Sequence, residues 1–104
     1  MGSRLTAVVL LLASAFGVAQ AQERERLYQR SVAAACAQCH GTDGVPAPGS
    51  NLRPLAGMPR EELVAQLKAF KAGSRSGTIM PQLSKGYSDL QIDLLASYFS
   101  SASN

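Results

Sequence analysis

The pentapeptide Cys36-Ala37-Gln38-Cys39-His40, followed at once by Gly41, constrains this chain more than any other stretch. Both cysteines and the single histidine of the 104 residues lie inside it. C-x-x-C-H is the covalent attachment signature of a c-type haem. Two thiols three positions apart can add to the two vinyl groups of one porphyrin while the adjacent imidazole reaches the iron. Cys36 and Cys39 are therefore read as haem anchors and His40 as an axial iron ligand. Two other chemistries compete. A redox C-x-x-C expects a βαβ setting, and no convincing strand is legible here. A zinc site wants four ligands, so a carboxylate such as Asp43 would have to join the three thiol and imidazole groups.

The residues ahead of the motif read as an export signal. Arg4 supplies a positive start, Leu5 to Ala15 is apolar, and Ala19-Gln20-Ala21 fits the small-x-small cleavage rule. Cleavage after Ala21 would start the mature chain at Gln22 and leave one domain, residues 22–104. An uncleaved anchor is the alternative, but the apolar run from Leu5 to Ala19 falls short of the ~20 residues that a spanning helix needs. No permanent membrane anchor is expected, and export to the periplasm is. Losing Arg4 lowers the formal charge from +3 to +2, too little to support nucleic-acid binding. A domain of this size is short of core, and a buried porphyrin would compensate.

Within the domain the pattern is all-α, with about three main helices expected around one haem. Glu23 to Ala35 is helix-like, with Leu27, Tyr28, Val32 and Ala35 approximating one face and Arg24, Arg26 and Arg30 looking outward. Gly41 to Gly44 breaks it, and Val45 to Pro54 is a proline-bearing loop. A second helix is expected from about Pro59 to Ala72, with Leu63, Leu67 and Phe70 as its buried stripe and Gly73 as its stop. Ser74 to Gly86 reads as a loop. Ser88-Asp89-Leu90-Gln91 has the form of a capping box for a last helix whose inner face is Ile92, Leu95, Ala96 and Phe99.

A haem held by one histidine leaves an axial position open, and a soft thioether there favours reduced iron. Met58 and Met80 are the candidates in the mature chain. Met58 also suits a packing role just before the second helix. Met80 lies in a loop stiffened by Pro81 and is the preferred sixth ligand.

The blocks Cys36 to Gly44, Leu55 to Met58, Gln66 to Gly73, Thr78 to Met80, Lys85 to Asp89 and Leu95 to Phe99 resemble class I cytochromes c. More narrowly, Thr78-Ile79-Met80 and Lys85-Gly86-Tyr87-Ser88-Asp89 are similar to the cytochrome subunit of flavocytochrome c sulfide dehydrogenase. The resemblance runs from Leu27 to Ser100 and implies thioether bonds at Cys36 and Cys39, His40 and Met80 as axial iron ligands, and haem c as the cofactor. It also implies a separate FAD-bearing sulfide dehydrogenase subunit as electron donor. Some cytochrome subunits of that family carry two haem domains, whereas this chain has one. The loop proline stands at Pro54, directly before Leu55, which leaves open which loop carbonyl orients His40.

The function expected is single-electron transfer rather than catalysis. A freely diffusing small cytochrome serving an oxidase or reductase, or another redox protein, is the alternative. A haem-based ligand sensor is a third reading and would require Met80 to be off the iron. Lys68, Lys71, Arg75 and Lys85 flank the Met80 segment and form a candidate basic docking rim.

Overall fold

The computed structural model describes residues 2–102. Those residues form four α-helices and one short 3-10 turn, with no strand among them. The all-α expectation holds. Helix α1 is Gly2–His40, α2 is Arg60–Ala72, α3 is Met80–Lys85 and α4 is Asp89–Ser101.

Helix α1 runs without a break from the apolar leader through the whole Cys-x-x-Cys-His motif. Leu5, Val8, Val9, Leu10, Leu11, Leu12, Phe16 and Val18 are all exposed. The helix is long and apolar enough to cross a membrane by length and composition, a test that a signal sequence near an N-terminus also passes. The apolar N-terminal part therefore fits a signal peptide.

Where α1 meets the domain, its buried face differs from the face expected. Ala33 is the buried residue of the helix, with Val32 and Cys36 packed partly against the same core. Leu27 and Tyr28 are exposed, at 56% and 46%, and Ala35 is exposed as well. The reason is steric. Ala33 and Ala96 belong to one core cluster, and small side chains let the helices carrying them approach closely. Gln29 then reaches across, its Nε2 donating to the Leu94 carbonyl at 3.0 Å, while Gln91 Nε2 donates to the Tyr28 hydroxyl at 3.3 Å.

Helix α4 carries the densest part of the core. Ile92, Leu95, Ala96 and Phe99 are all buried, as their spacing predicts. The capping box is formed: Ser88 Oγ accepts from the Gln91 N–H, and the Gln91 side chain accepts from the Ser88 N–H. Helix α2 starts one residue later than expected, with Pro59 in the N-cap position, and Leu63 is its buried residue. Leu67 packs partly against the core, and Phe70 is half-buried. Gly73 closes α2 in the left-handed conformation at φ 79. Arg60 links α2 to α4 through Ser97 at 3.2 Å and Asp93 at 3.3 Å.

The segment 74–86, read from sequence as loop, contains α3. Pro81 sits in its first turn, where the missing N–H costs nothing, so the proline starts a helix as well as stiffening a loop. Ser84 is fully buried on α3, and its hydroxyl has no hydrogen-bond partner among the described residues. Helix α3 packs against α2.

Candidate functional site

The last turn of α1 brings Cys36, Cys39 and His40 together by helical periodicity alone. Residues three and four apart are neighbours on a helix surface, so Cys36 has both Cys39 and His40 beside it. Cys36 is half-buried against the core and Cys39 is exposed. Burial pushes the Cys36 thiol above its ordinary value, an effect partly offset by a hydrogen bond with the Tyr87 side chain. Tyr87 is correspondingly raised, first by burial and then by Cys36.

His40 is half-buried, and burial lowers its pKa. The imidazole is thus favoured as the neutral base, the form in which it binds metal. Its Nδ1 is shut inside the protein with no hydrogen-bond partner. No loop carbonyl accepts from it among the described residues, so the carbonyl that the sequence left undetermined is not found within reach. With Nδ1 enclosed by protein, Nε2 is the nitrogen available to a ligand. Two thiols and this imidazole on one helical turn are a donor set that fits a covalently attached, axially ligated haem.

The chain turns sharply after the motif because of two glycines. Gly41 has φ 82 and ψ 164, and a Cβ there would lie 1.7 Å from the Val45 carbonyl oxygen. Gly44 has φ 79 and is buried. A Cβ on it would meet the Ala56 nitrogen and Phe99 Cδ1 at 2.8 Å. The Gly44 carbonyl accepts from the N–H groups of Leu55 and Ala56, at 2.9 and 3.2 Å, which folds the 45–55 loop back onto the motif. Gly57 N–H continues the attachment to the Phe99 carbonyl at 2.9 Å.

The two methionines have different surroundings. Met58 is 5% exposed and belongs to the core cluster with Ala33, Leu63, Leu95, Ala96 and Phe99. Met80 is partly buried and opens α3, between the exposed Ile79 and the half-buried Pro81. Asp43, the carboxylate that a zinc site would need, accepts a hydrogen bond from the Tyr98 hydroxyl. No group of three or more His, Cys, Asp or Glu is arranged to hold a metal ion among the described residues.

Of the basic residues flanking Met80, Lys68 and Lys85 are exposed. Lys71 is committed to internal contacts, its Nζ lying 2.7 Å from the Tyr87 carbonyl and 3.4 Å from Asp89. The Arg75 guanidinium lies 4.6 Å over the Phe70 ring. The contacts of Tyr87 and Lys71 left no mark in the sequence pattern. Tyr87 stood out only within the Lys-Gly-Tyr-Ser-Asp block, and nothing local ties it to Cys36.

Comparison with known proteins decides the family. The model described as cytochrome C oxidase, cbb3-type, subunit III matches residues 19–99. The chain belongs to this family of class I cytochrome c domains. A thiosulfate dehydrogenase electron acceptor from Thiomonas intermedia is 38% identical over 68 residues, covering 65% of this chain and 31% of that protein. A cytochrome subunit of sulfide dehydrogenase from Chlorobaculum tepidum is 41% identical over 68 residues, covering 65% of this chain and 60% of that protein. Cytochrome c-553 from Nitratidesulfovibrio vulgaris is 33% identical over 101 residues, covering 92% and 94%. The chain spans 31% of the length of the first relative and 60% of the second. A cytochrome c domain of this kind carries covalently bound haem c and serves electron transfer rather than catalysis.

Proposed function

We propose that this chain is an exported, periplasmic monohaem cytochrome c that accepts single electrons from a dehydrogenase of reduced sulfur, most specifically from an FAD-bearing sulfide dehydrogenase subunit. Cys36 and Cys39 would hold the haem by thioether bonds, and His40 and Met80 would ligate its iron. When bound, the haem supplies a one-electron couple at iron. The protein's own residues attach it, ligate it and shield it. His40 presents a neutral imidazole because burial disfavours its protonated form. Cys36 lies against the hydrophobic core, so a group attached through it would be joined to the packed part of the domain.

The observation that carries this reading is the placement of Cys36, Cys39 and His40 on one helical turn, with Nδ1 enclosed. Met80 is favoured over Met58 because Met58 is engaged in the core, whereas Met80 opens a short helix and is partly accessible. The sulfur-oxidising partner is supported by two relatives whose names tie them to sulfide and thiosulfate dehydrogenases. A freely diffusing carrier is the second reading, supported by a match that spans 94% of cytochrome c-553, a protein of about this chain's length.

Co-expression with an FAD-containing sulfide dehydrogenase subunit, followed by size exclusion at low and high salt, separates the two. The subunit reading expects co-elution at both salts and haem reduction that depends on sulfide. Absence of both a complex and sulfide-dependent reduction would favour the diffusing carrier. Contacts that depend on exposed charge weaken as salt screens them, whereas apolar contacts persist.

A further inference from the structure

The segment bearing Met80 leaves α2 at Gly73 and ends at Ser88, and both of its ends are tied to α2. At the entry, the N–H groups of Ser74 and Arg75 return to the Ala69 carbonyl at 3.0 and 3.2 Å, and Arg75 stacks on Phe70. Gly77 lies against the same ring: a Cβ on it would be 3.3 Å from Phe70 and 3.2 Å from Pro81. At the exit the Tyr87 side chain packs against the core and hydrogen-bonds Cys36, and the tie to α2 itself is made by Lys71. Lys71 Nζ donates to the Tyr87 carbonyl at 2.7 Å and reaches Asp89 Oδ1 at 3.4 Å. The Tyr87 N–H in turn donates to the Ser84 carbonyl at 3.3 Å, which connects the ammonium to the end of the helix that Met80 begins.

We propose that Lys71 is a positioning residue for Met80: its ammonium pins the end of the Met80 helix to α2 and so holds the thioether where it can ligate iron. The proposal rests on the reading of Met80 as the axial ligand. The side chain of Lys71 is only 33% exposed, so its bond to a backbone carbonyl is sheltered from water in a way that a solvated docking charge is not. Breaking it loosens the hold of α2 on the exit of the segment, while the core around Ile92, Leu95 and Phe99 and the packing of Tyr87 on it stay in place. Losing a hydrogen bond to a charged group shifts a local equilibrium by about tenfold or more. An external ligand that needs Met80 to step off the iron gains affinity in proportion to the detached fraction.

The test uses the full haem-loaded ferric protein, titrated with imidazole while the sulfur-to-iron absorption band is followed. Lys71→Met keeps the apolar stem and removes the donor. It should bind imidazole about tenfold more tightly. Lys71→Arg should recover most of the parent behaviour, and Lys68→Gln, at an exposed position, should match the parent. If Lys71→Met does not accumulate with haem, Asp89→Asn weakens the same clamp and should raise imidazole affinity by about two- to fourfold. A Lys71→Met protein that unfolds earlier in urea yet binds imidazole like the parent would make Lys71 an ordinary stabilising residue and overturn the proposal. Unchanged affinity in Asp89→Asn, where that is the variant tested, overturns it equally. A parent protein with no sulfur-to-iron band would instead remove the Met80 reading itself, and the clamp with it.

Discussion

Replacing Gly41 by alanine should cost more than any other single methyl added to this domain's turns. Two separable effects contribute. First, φ 82 with ψ 164 lies in a region open essentially to glycine alone, and forcing another residue there costs about 1–3 kcal/mol. Second, the added Cβ would stand 1.7 Å from the Val45 carbonyl oxygen and 2.5 Å from its carbon, and backbone atoms cannot swing aside as a side chain would. Moving Val45 opens the turn closed by Gly44 N–H to the Gly41 carbonyl and Val45 N–H to the Thr42 carbonyl, each at 3.1 Å. At about 0.5–1.5 kcal/mol per hydrogen bond, the total is about 2–6 kcal/mol. Gly49 is the control, because it shares φ 82 but a Cβ there meets nothing within 4 Å. Gly49→Ala should cost only the left-handed penalty, about 1–2 kcal/mol. Urea unfolding of the haem-loaded protein measures both, and the Gly41→Ala midpoint should fall by about 2 M relative to the parent at the slopes usual for small domains. If Gly41→Ala costs no more than Gly49→Ala, the close approach of the Val45 carbonyl is not what holds this turn.

Two further outcomes follow from the same contacts. Met58→Ala should lower stability by about 2–5 kcal/mol, as truncations of buried methionine do, and keep the ferric sulfur-to-iron band, whereas Met80→Ala should lose the band and admit external ligands; the reverse pattern would exchange their roles. Tyr98 is raised above its ordinary value chiefly by its hydrogen bond to Asp43, so its contribution is fully present below about pH 10 and is lost as pH rises through the folded-state value. Tyr98→Phe should therefore cost about 0.5–1 kcal/mol at pH 7, and urea midpoints should show the gap to the parent narrowing above pH 10.

Much of this architecture was legible because its signals are local. The Cys-x-x-Cys-His spacing, the Ser88 to Gln91 capping box and the buried stripe on α4 each lie within one or two helical turns. The buried face of α1 is not legible locally, because Ala33 is a weak hydrophobic signal, while Leu27 and Tyr28 are strong ones that the close packing of α1 on α4 leaves outside. Helix α3 leaves no periodic signal, because six residues opened by a proline are too few to show a period. Lys71 looked like a docking charge because its partner is a backbone carbonyl sixteen residues away, a contact that exists only once α2 and the Met80 segment have packed. The enclosure of His40 Nδ1 is likewise a product of the fold.

The attachment of haem at Cys36 and Cys39 is tested most directly by intact-mass measurement of the exported protein after acid and organic extraction. The account predicts a chain beginning at Gln22 that retains one haem, with Cys36→Ala and Cys39→Ala each losing one thioether bond. Haem that extracts completely from the unmodified chain would contradict it.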